Sequence, residues 1–282
     1  MYSKANFFKT KRGDFCMGLS SNVLWHQTNK KGLLGIIKSK KLYYSYSLEG
    51  LLANENNLGI AFPMISLCDL PLSEFSEGKW AYGNYAIGLS RHWGMKNGFN
   101  PVCYCNQGSA YLQKMIDNLR ESLVSTNIET VEKALFPFAY MKLVEGPLPR
   151  KRYKKYRFYD EKEIRLVPSK EIINGYSSFL LDVQYEKFKA DNGSSLLGNL
   201  GIDFTYDDIR YLLVENNQSR KELQMLLDKE GADYSKFVIL TKHEILGDIV
   251  GNNHNEEIPR ITSNISVAEL ALKLGAEYFK KK

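Results

Sequence analysis

The chain has 282 residues, of which 44% are hydrophobic and 25% are charged, and its formal net charge is +6. This composition is typical of a globular protein with ample material for a core, in one large domain or two small ones. A moderately basic chain is compatible with an anionic partner such as a nucleotide or nucleic acid, without requiring one. No window approaches the roughly 18 consecutive apolar residues of a membrane span, so a membrane protein is not expected.

Cysteine usage and the first residues indicate the compartment. The four cysteines, at positions 16, 68, 103 and 105, are few and unevenly spaced for a disulfide scaffold. The start of the chain lacks the apolar core of a signal peptide. We therefore expect a cytoplasmic protein with reduced thiols. Cys103 and Cys105 would share one face of a strand, but no further cluster of cysteines or histidines completes a zinc site, so no metal is expected.

The segment from residue 24 to residue 46 combines polar candidates with a strand-to-helix pattern. Residues 23–25 are apolar and strand-prone, and Thr28 or Asn29 can cap a helix that follows. The apolar positions of that helix are spaced to form one face, at Leu33, Ile36 and Ile37. The chain should therefore pass from a strand into a helix just after position 28.

Polar and aromatic residues flank that junction. His26 and Thr28 lie at the end of the predicted strand, and Tyr43, Tyr44 and Tyr46 follow the helix. Backbone N–H groups and side chains converge where a strand leads into a helix, so small-molecule sites are common there. These residues are candidates for a ligand site. The alternative for His26 is a structural histidine beside a tryptophan.

The remaining pattern predicts an α+β fold. A short helix and a polar loop are expected over 48–63, and two helices joined near Asn127 over 109–144. Strands are predicted at 64–68, which contains Ser66, and at 85–89, 102–105, 209–214 and 237–241, with a helix at 220–227. Since no linker or repeat interrupts the chain, we favour an N-terminal arm over 1–20, a single α+β domain over 21–252, and a polar loop with a short C-terminal helix over 253–282.

A basic run interleaved with aromatic residues occupies positions 150–157. All but two of its residues are Lys or Arg, and the other two are tyrosines. Positive charge beside aromatic faces suits phosphate contact and base stacking, so the run is a candidate phosphate or nucleic-acid surface. The candidate contacts are Arg150, Arg152, Lys154 and Lys155. A solvated loop is the alternative explanation.

Two carboxylates follow the basic run, at Glu161 and Glu163. If this segment is a strand, alternation puts both side chains on one face and Lys162 on the other. Like charges on one face repel each other, so such a pair in a core is usually kept for a cation, a hydroxyl-bearing ligand or catalysis. A solvent-facing strand would tolerate the pair at little cost.

Three blocks of sequence are long enough to resemble a known family. They read AFPMISLCDLPLSEF, YGNYAIGLSRHWGMKNGFNPVCY and FYDEKEIRLVP. Over about residues 24–248, the chain closely resembles the AbiGi family of bacterial abortive-infection proteins, which act in defence against phage. The resemblance implies an antitoxin-side partner of a nucleotidyltransferase-like toxin encoded beside it.

A second, more distant resemblance is to mono-ADP-ribosyltransferases, which cleave NAD and pass ADP-ribose to a target. It rests on an early His-x-Thr before a helix, an aromatic segment, a Ser-bearing strand and a late Glu-x-Glu strand. It implies a mixed sheet with flanking and inserted helices, and NAD as the substrate. The aromatic residue that usually follows the second Glu is Ile164 here, which departs from the pattern.

The transferase resemblance also implies roles for individual residues. His26 would hydrogen-bond the adenosine ribose with help from Thr28, and Ser66 would brace the site. One tyrosine of the predicted aromatic run, Tyr43, Tyr44 or Tyr46, would stack on the nicotinamide ring.

Catalysis in this scheme depends on the late carboxylates. Glu163 would stabilise an oxocarbenium-like transition state, and Glu161 would position the acceptor. His26 and Glu163 should then face one cleft. Of two functions from different classes we favour an NAD-using transferase that modifies a macromolecular target in phage defence. The alternative is a non-catalytic antitoxin-type regulator that binds a toxin or nucleic acid.

Overall fold

The computed structural model describes residues 21–52, 58–75, 82–125, 127–148 and 153–249. Within these ranges the strands are β1 (Val23–Thr28), β2 (Lys41–Leu52), β3 (Leu58–Cys68), β4 (Tyr85–Ser90), β5 (Asn100–Pro101), β6 (Cys103–Cys105), β7 (Met141–Leu143), β8 (Gly146–Leu148), β9 (Tyr153–Tyr156), β10 (Glu163–Leu166), β11 (Leu180–Leu181), β12 (Leu196–Asp203), β13 (Ile209–Val214) and β14 (Val238–Thr241). The α-helices are α1 (Lys30–Ser39), α2 (Arg91–Lys96), α3 (Ala110–Ser122), α4 (Ile128–Leu135), α5 (Asp182–Asn192), α6 (Asn217–Lys229) and α7 (Lys242–Ile249). None of the helices in these ranges is long and apolar enough to span a bilayer.

A ten-stranded mixed sheet forms the centre of the fold, which confirms the predicted α+β class. Its main path runs β12-β2-β3-β1-β4-β13-β14. β10 and β11 join it by pairing with β3, and β5 pairs with β10. β13 and β14 are parallel to each other. β1 lies between β3 and β4: it pairs with β4 along its whole length and meets β3 where Trp25 lies opposite Cys68.

One side of the sheet, which we call the α1 face, is covered by α1 and α6. α1 begins at one of the two predicted caps, where the Oδ1 of Asn29 accepts a hydrogen bond from the Gly32 N–H at 2.8 Å. It ends at Lys40, whose φ is 53°. Its buried residues are the three predicted ones, Leu33, Ile36 and Ile37. They belong to the same apolar cluster as Leu24 and Ile87 of the sheet and Leu223 and Leu227 of α6.

The opposite side of the sheet, which we call the α3 face, is covered by α3, α4 and the segment after them. The apolar residues that meet there are Ile60, Phe62 and Met64 of β3, Leu112 and Leu119 of α3, and Leu135 and Phe138. On the same face, the Trp25 ring packs edge-on against Phe75, with centroids 4.8 Å apart. The Trp25 Nε1 donates to the Leu70 carbonyl at 2.8 Å. Burial on both sides makes the central strands the core of the fold.

Several predicted elements differ from the structure. The helix expected after residue 48 is instead the end of β2, where Leu48 lies opposite Ala61 and Glu49 opposite Ile60. Pairing with β3 outweighs the helix propensity of this Leu-rich stretch. Met141, predicted to be helical, begins β7. No pattern in the sequence predicted α5 or β12. The predicted arm and C-terminal helix lie outside the described residues.

Two glycines before and within β4 allow close packing between elements. Gly83 has a φ of 144°, and a Cβ added to it would lie 2.0 Å from the Thr28 carbonyl oxygen. A Cβ on Gly88 would lie 2.7 Å from the Trp25 ring. The neighbours at both positions are residues of this chain, which favours tight packing over ligand approach.

Replacing Gly83 with alanine should therefore destabilise the protein. The new methyl group would meet backbone that cannot move aside, and overpacking of this kind costs about 1–3 kcal/mol. A matched control is Gly35→Ala in α1, where an added Cβ meets nothing within 4 Å. That change should stabilise the protein by up to about 1 kcal/mol. Urea unfolding measures both variants, and equal stabilities would show that the contact at Gly83 is not a constraint.

Candidate functional site

Two of the three tyrosines predicted to stack on a ligand lie in the α1-face core. Tyr44 and Tyr46 are each 2% exposed. The Tyr46 hydroxyl donates to the Ser177 carbonyl at 2.6 Å. Burial raises the pKa of both tyrosines to about 12. Enclosed rings cannot stack on a ligand, so the predicted nicotinamide role does not fit either residue. Tyr43 alternates to the other face of β2 and is partly buried.

His26 contacts the main chain of β3. Its Nδ1 lies 3.2 Å from the Ser66 carbonyl oxygen. Burial lowers the pKa of His26 and outweighs the effect of this hydrogen bond. The Ser66 side chain shares its face with Arg165, so only the main chain of Ser66 contacts the imidazole. At the end of β1, the Thr28 side chain occupies the space where Gly32 has no Cβ. These contacts favour the structural-histidine alternative.

The two predicted catalytic glutamates are not on one strand. Glu161 ends a 3-10 helix (Phe158–Glu161), Lys162 has a φ of 47°, and β10 begins at Glu163. The prediction of a continuous Glu-Lys-Glu strand is therefore wrong, because the chain turns at Lys162. Both carboxylates nevertheless converge on one cation of this chain. The Lys142 Nζ lies 2.9 Å from Glu161 Oε2 and 2.7 Å from Glu163 Oε2.

Arg165 joins these residues to a third carboxylate. Its side chain is fully buried, and its Nε and Nη2 donate to the two oxygens of Glu163 at 2.7 and 3.0 Å. Nη2 also donates to Glu49 Oε1 at 2.6 Å. Nη1 donates to the carbonyls of Ala139 and Met141 at 2.8 and 3.3 Å. Glu49, Lys142, Glu161, Glu163 and Arg165 are hereafter called the ion-pair cluster.

The cluster has three carboxylates and two cations, and burial competes with the opposite charges in setting the pKa of Glu49, Lys142 and Glu163. Burial raises the pKa of Glu163, but the charges and hydrogen bonds of Arg165 and Lys142 outweigh it and hold that pKa well below its usual range. For Glu49 burial prevails over Arg165, and its pKa is raised. Burial lowers the pKa of Lys142, but the surrounding carboxylates raise it well above its usual value. Glu163 and its two cations are therefore held in their charged forms.

Tyrosine hydroxyls add further hydrogen bonds at the edge of the cluster, including one between Tyr156 and Glu161. The Tyr82 hydroxyl donates to Glu161 Oε1 at 2.6 Å, and the Glu163 N–H donates to the Tyr104 hydroxyl at 2.7 Å. Beside Glu161 lies a small crevice lined by Gln27, Cys68, Leu70, Tyr82, Tyr156, Asp160 and Glu161. Glu161 is thus the predicted carboxylate that borders a surface opening.

The strand register places His26 and Glu163 on opposite faces of the sheet. Trp25 of β1 and Glu163 of β10 both lie opposite Cys68 of β3. Directly opposed residues point to one face, and successive residues alternate. Glu163 therefore shares the α3 face with Trp25, whereas His26 points to the α1 face. The expectation that these two side chains share a cleft is wrong, because the sheet itself separates them.

The basic run is described only in part. Arg150 and Arg152 lie outside the described residues, and Lys154 is placed by its backbone in β9. Lys155 is 74% exposed, and its Nζ lies 3.0 Å from Glu145 Oε1. Contact of this run with phosphate or nucleic acid stays a prediction.

Three members of the ion-pair cluster were missed by the sequence analysis. Arg165 carried a readable signal, because it follows Glu163 by two residues and alternation on a strand puts the two side chains on one face. Glu49 and Lys142 carried none, since only the folded chain brings them to that face.

Comparison with known proteins assigns the chain to a family. A family model described as "Putative abortive phage resistance protein AbiGi, antitoxin" matches residues 40–215, a range that contains the whole ion-pair cluster. The "Abortive phage resistance protein AbiGi" of Lactococcus lactis subsp. cremoris is 30% identical over 216 residues, covering 64% of this chain and 84% of that protein. No solved structure matches the chain. The chain therefore belongs to the AbiGi family.

Proposed function

We propose that this chain acts in defence against phage as a non-catalytic antitoxin-type protein, which binds a toxin and restrains it. Membership of the family supports the defence role, because its description contains both phage resistance and antitoxin. The resemblance to AbiGi proteins suggests the partner, a nucleotidyltransferase-like toxin encoded beside this chain.

The state of Glu163 is the observation that carries this proposal. A carboxylate that promotes glycosyl transfer needs an oxygen free to meet the ribose and a charge available to the oxocarbenium-like transition state. Both oxygens of Glu163 already accept hydrogen bonds from Arg165, and one also accepts from Lys142. The residue is 6% exposed. Its negative charge is already paired with Arg165 and Lys142, which supports a binding role for the protein in preference to catalysis.

ADP-ribosyl transfer with NAD as substrate is the second candidate function. The crevice beside Glu161 favours it, because two acidic residues, Asp160 and Glu161, and two tyrosines, Tyr82 and Tyr156, line the same opening. In this version Glu161 would be the catalytic carboxylate, and Glu163 would hold Lys142 in place. Tyr82, which donates to Glu161 Oε1, would orient it.

A growth assay with a parallel labelling reaction separates the two functions. The neighbouring toxin is expressed in host cells alone or together with this chain, and purified chain is incubated with labelled NAD and cell lysate. We expect co-expression to restore growth by at least tenfold in viable counts, and we expect no transferred label. Transfer of label that disappears in Glu161→Gln would overturn the antitoxin proposal. Failure to restore growth, with both proteins soluble, would also overturn it.

A further inference from the structure

Two neighbouring cysteines lie beside the ion-pair cluster and have no part in the proposed function. Cys103 and Cys105 are both free thiols, with their Sγ atoms 3.9 Å apart. Cys103 is exposed, whereas Cys105 is 3% exposed and belongs to the apolar cluster of the α3 face. The pair therefore combines a thiol that solvent reaches with a partner thiol that solvent does not.

The residue between the two cysteines connects them to the ion-pair cluster. The Tyr104 hydroxyl accepts the Glu163 N–H, and its ring meets the Tyr159 ring edge-on at 5.2 Å. β6 also pairs with β7 in parallel, so that Tyr104 lies opposite Lys142. A change in the backbone of β6 should therefore alter the positions of two members of the cluster, Glu163 and Lys142.

We propose that Cys103 and Cys105 form a reversible disulfide by exchange with a low-molecular-weight disulfide, and that closing this bond weakens the contact of Tyr104 with Glu163. The inference does not rest on the antitoxin proposal. It assigns a modification site to the chain, with small disulfides such as glutathione disulfide as the reacting class.

The exchange proceeds in two steps, in which atoms, electrons and protons are all accounted for. The Cys103 thiolate attacks one sulfur of the small disulfide, forming a mixed disulfide and releasing one small thiolate. The Cys105 thiolate then attacks the Cys103 Sγ, forming the internal bond and releasing the second small thiolate. The two cysteines lose two electrons, the small disulfide gains them, and the two thiol protons go to the released thiolates.

Burial slows the second step, the attack by Cys105. Burial is the largest cause that raises the pKa of Cys105, ahead of the neighbouring Cys103, so few of these thiols are ionised near neutral pH. The closing rate should therefore rise about tenfold for each pH unit between about pH 7 and pH 9.

Closure also requires movement of β6. A disulfide bond is about 2.05 Å long, so the sulfurs must approach each other by about 2 Å. Cysteines two residues apart on an extended strand are separated by more than most disulfides span, and the ring can close only if the strand bends at Tyr104. A bond formed this way is strained and readily reduced, which suits a reversible modification.

The test uses the full chain with Cys16→Ser, since Cys16 lies outside the described residues. The protein is incubated with glutathione disulfide, quenched with acid, and its cysteine peptides are identified by mass spectrometry. We expect loss of two hydrogens across Cys103 and Cys105, reversed by dithiothreitol. Cys105→Ser should instead accumulate a mixed disulfide at Cys103, and Cys103→Ser should leave Cys105 unmodified. A mixed disulfide at Cys103 that never closes, at any pH up to 9, would overturn the proposed site.

Hydrogen exchange tests the coupling to the cluster. The amide of Glu163 should exchange at least tenfold faster after oxidation, because its acceptor is the Tyr104 hydroxyl. Tyr104→Phe removes this acceptor, so the amide should exchange fast in that variant before and after oxidation. The Leu212 amide, in buried β13, serves as an internal reference for global unfolding. Unchanged protection of Glu163 in a fully oxidised protein would overturn the coupling.

Discussion

Replacing Arg165 with methionine is expected to lower the free energy of unfolding by about 3–5 kcal/mol, as in other proteins in which one partner of a buried ion pair is removed. Methionine fills part of the volume but leaves Glu49 and Glu163 facing each other on the α3 face. It also removes the donors for the carbonyls of Ala139 and Met141. Urea unfolding at neutral pH gives the size of the loss.

Two further variants show whether the loss comes from the buried pairs. Arg120 of α3 also has a carboxylate partner, but its Nη1 lies 3.4 Å from Asp117 and both side chains are at least 40% exposed. Arg120→Met should change stability by less than about 0.5 kcal/mol, because exposed ion pairs contribute little. Arg165→Lys keeps the charge but loses the two parallel bonds to Glu163, so an intermediate loss is expected. Equal stabilities of Arg165→Met and Arg120→Met would mean that the cluster does not hold the fold.

Local sequence patterns were sufficient to predict the elements that depend on neighbouring residues. The cap at Asn29, the apolar face of α1 and the strand β13 all follow from the spacing of residues close together in the chain. The end of β2 did not follow, because its conformation depends on pairing with β3 across the segment between them. Local propensity there favoured a helix, and tertiary pairing decided otherwise.

The candidate site depends even more on distant residues. Arg165 and Glu49 are 116 positions apart, and no local pattern links them. The strand register decides that His26 and Glu163 lie on opposite faces, because Trp25 and Glu163 both pair with Cys68. A shift of one residue in either pairing would have put the two side chains on the same face. Repulsion between the two glutamates was a sound inference from composition. Lys142, the cation that offsets this repulsion, lies on a different strand.

Replacing Glu163 with glutamine is expected to cost about 3 kcal/mol or more of folding stability, on the scale measured when one member of a buried charge network is removed. The repulsion expected between Glu161 and Glu163 would by itself suggest little cost to folding, since removing one of two like charges relieves it. In the structure Glu163 accepts from Arg165 at 2.7 and 3.0 Å and from Lys142 at 2.7 Å. A glutamine amide would turn an N–H₂ group toward one of these cations.

The pH dependence identifies the charge of Glu163 as the cause. Its pKa in the folded protein is held well below the usual range, whereas an unfolded glutamate titrates near pH 4.3. A depressed folded pKa contributes stability that is present above the unfolded pKa and is lost as the pH falls toward the folded pKa. The difference in stability between wild type and Glu163→Gln should therefore be largest near neutral pH and should shrink below about pH 4.3. A difference that stays constant down to pH 3 would point to lost packing instead of lost charge.

Glu161→Gln is the matched control, because the same substitution two residues earlier removes fewer charged contacts than Glu163→Gln does. Among the described residues, Glu161 pairs with one cation, Lys142. Its other oxygen accepts from Tyr82, and a glutamine oxygen can accept the same hydrogen bond. We expect its stability loss to be less than half that of Glu163→Gln, since only one charged contact is lost.

The two candidate functions predict opposite rankings of the two variants in activity. For an antitoxin, toxin neutralisation should fall only as the folded fraction falls, so Glu163→Gln should be the more damaging change. For a transferase acting at the crevice, Glu161→Gln should abolish transfer from NAD while the protein stays folded.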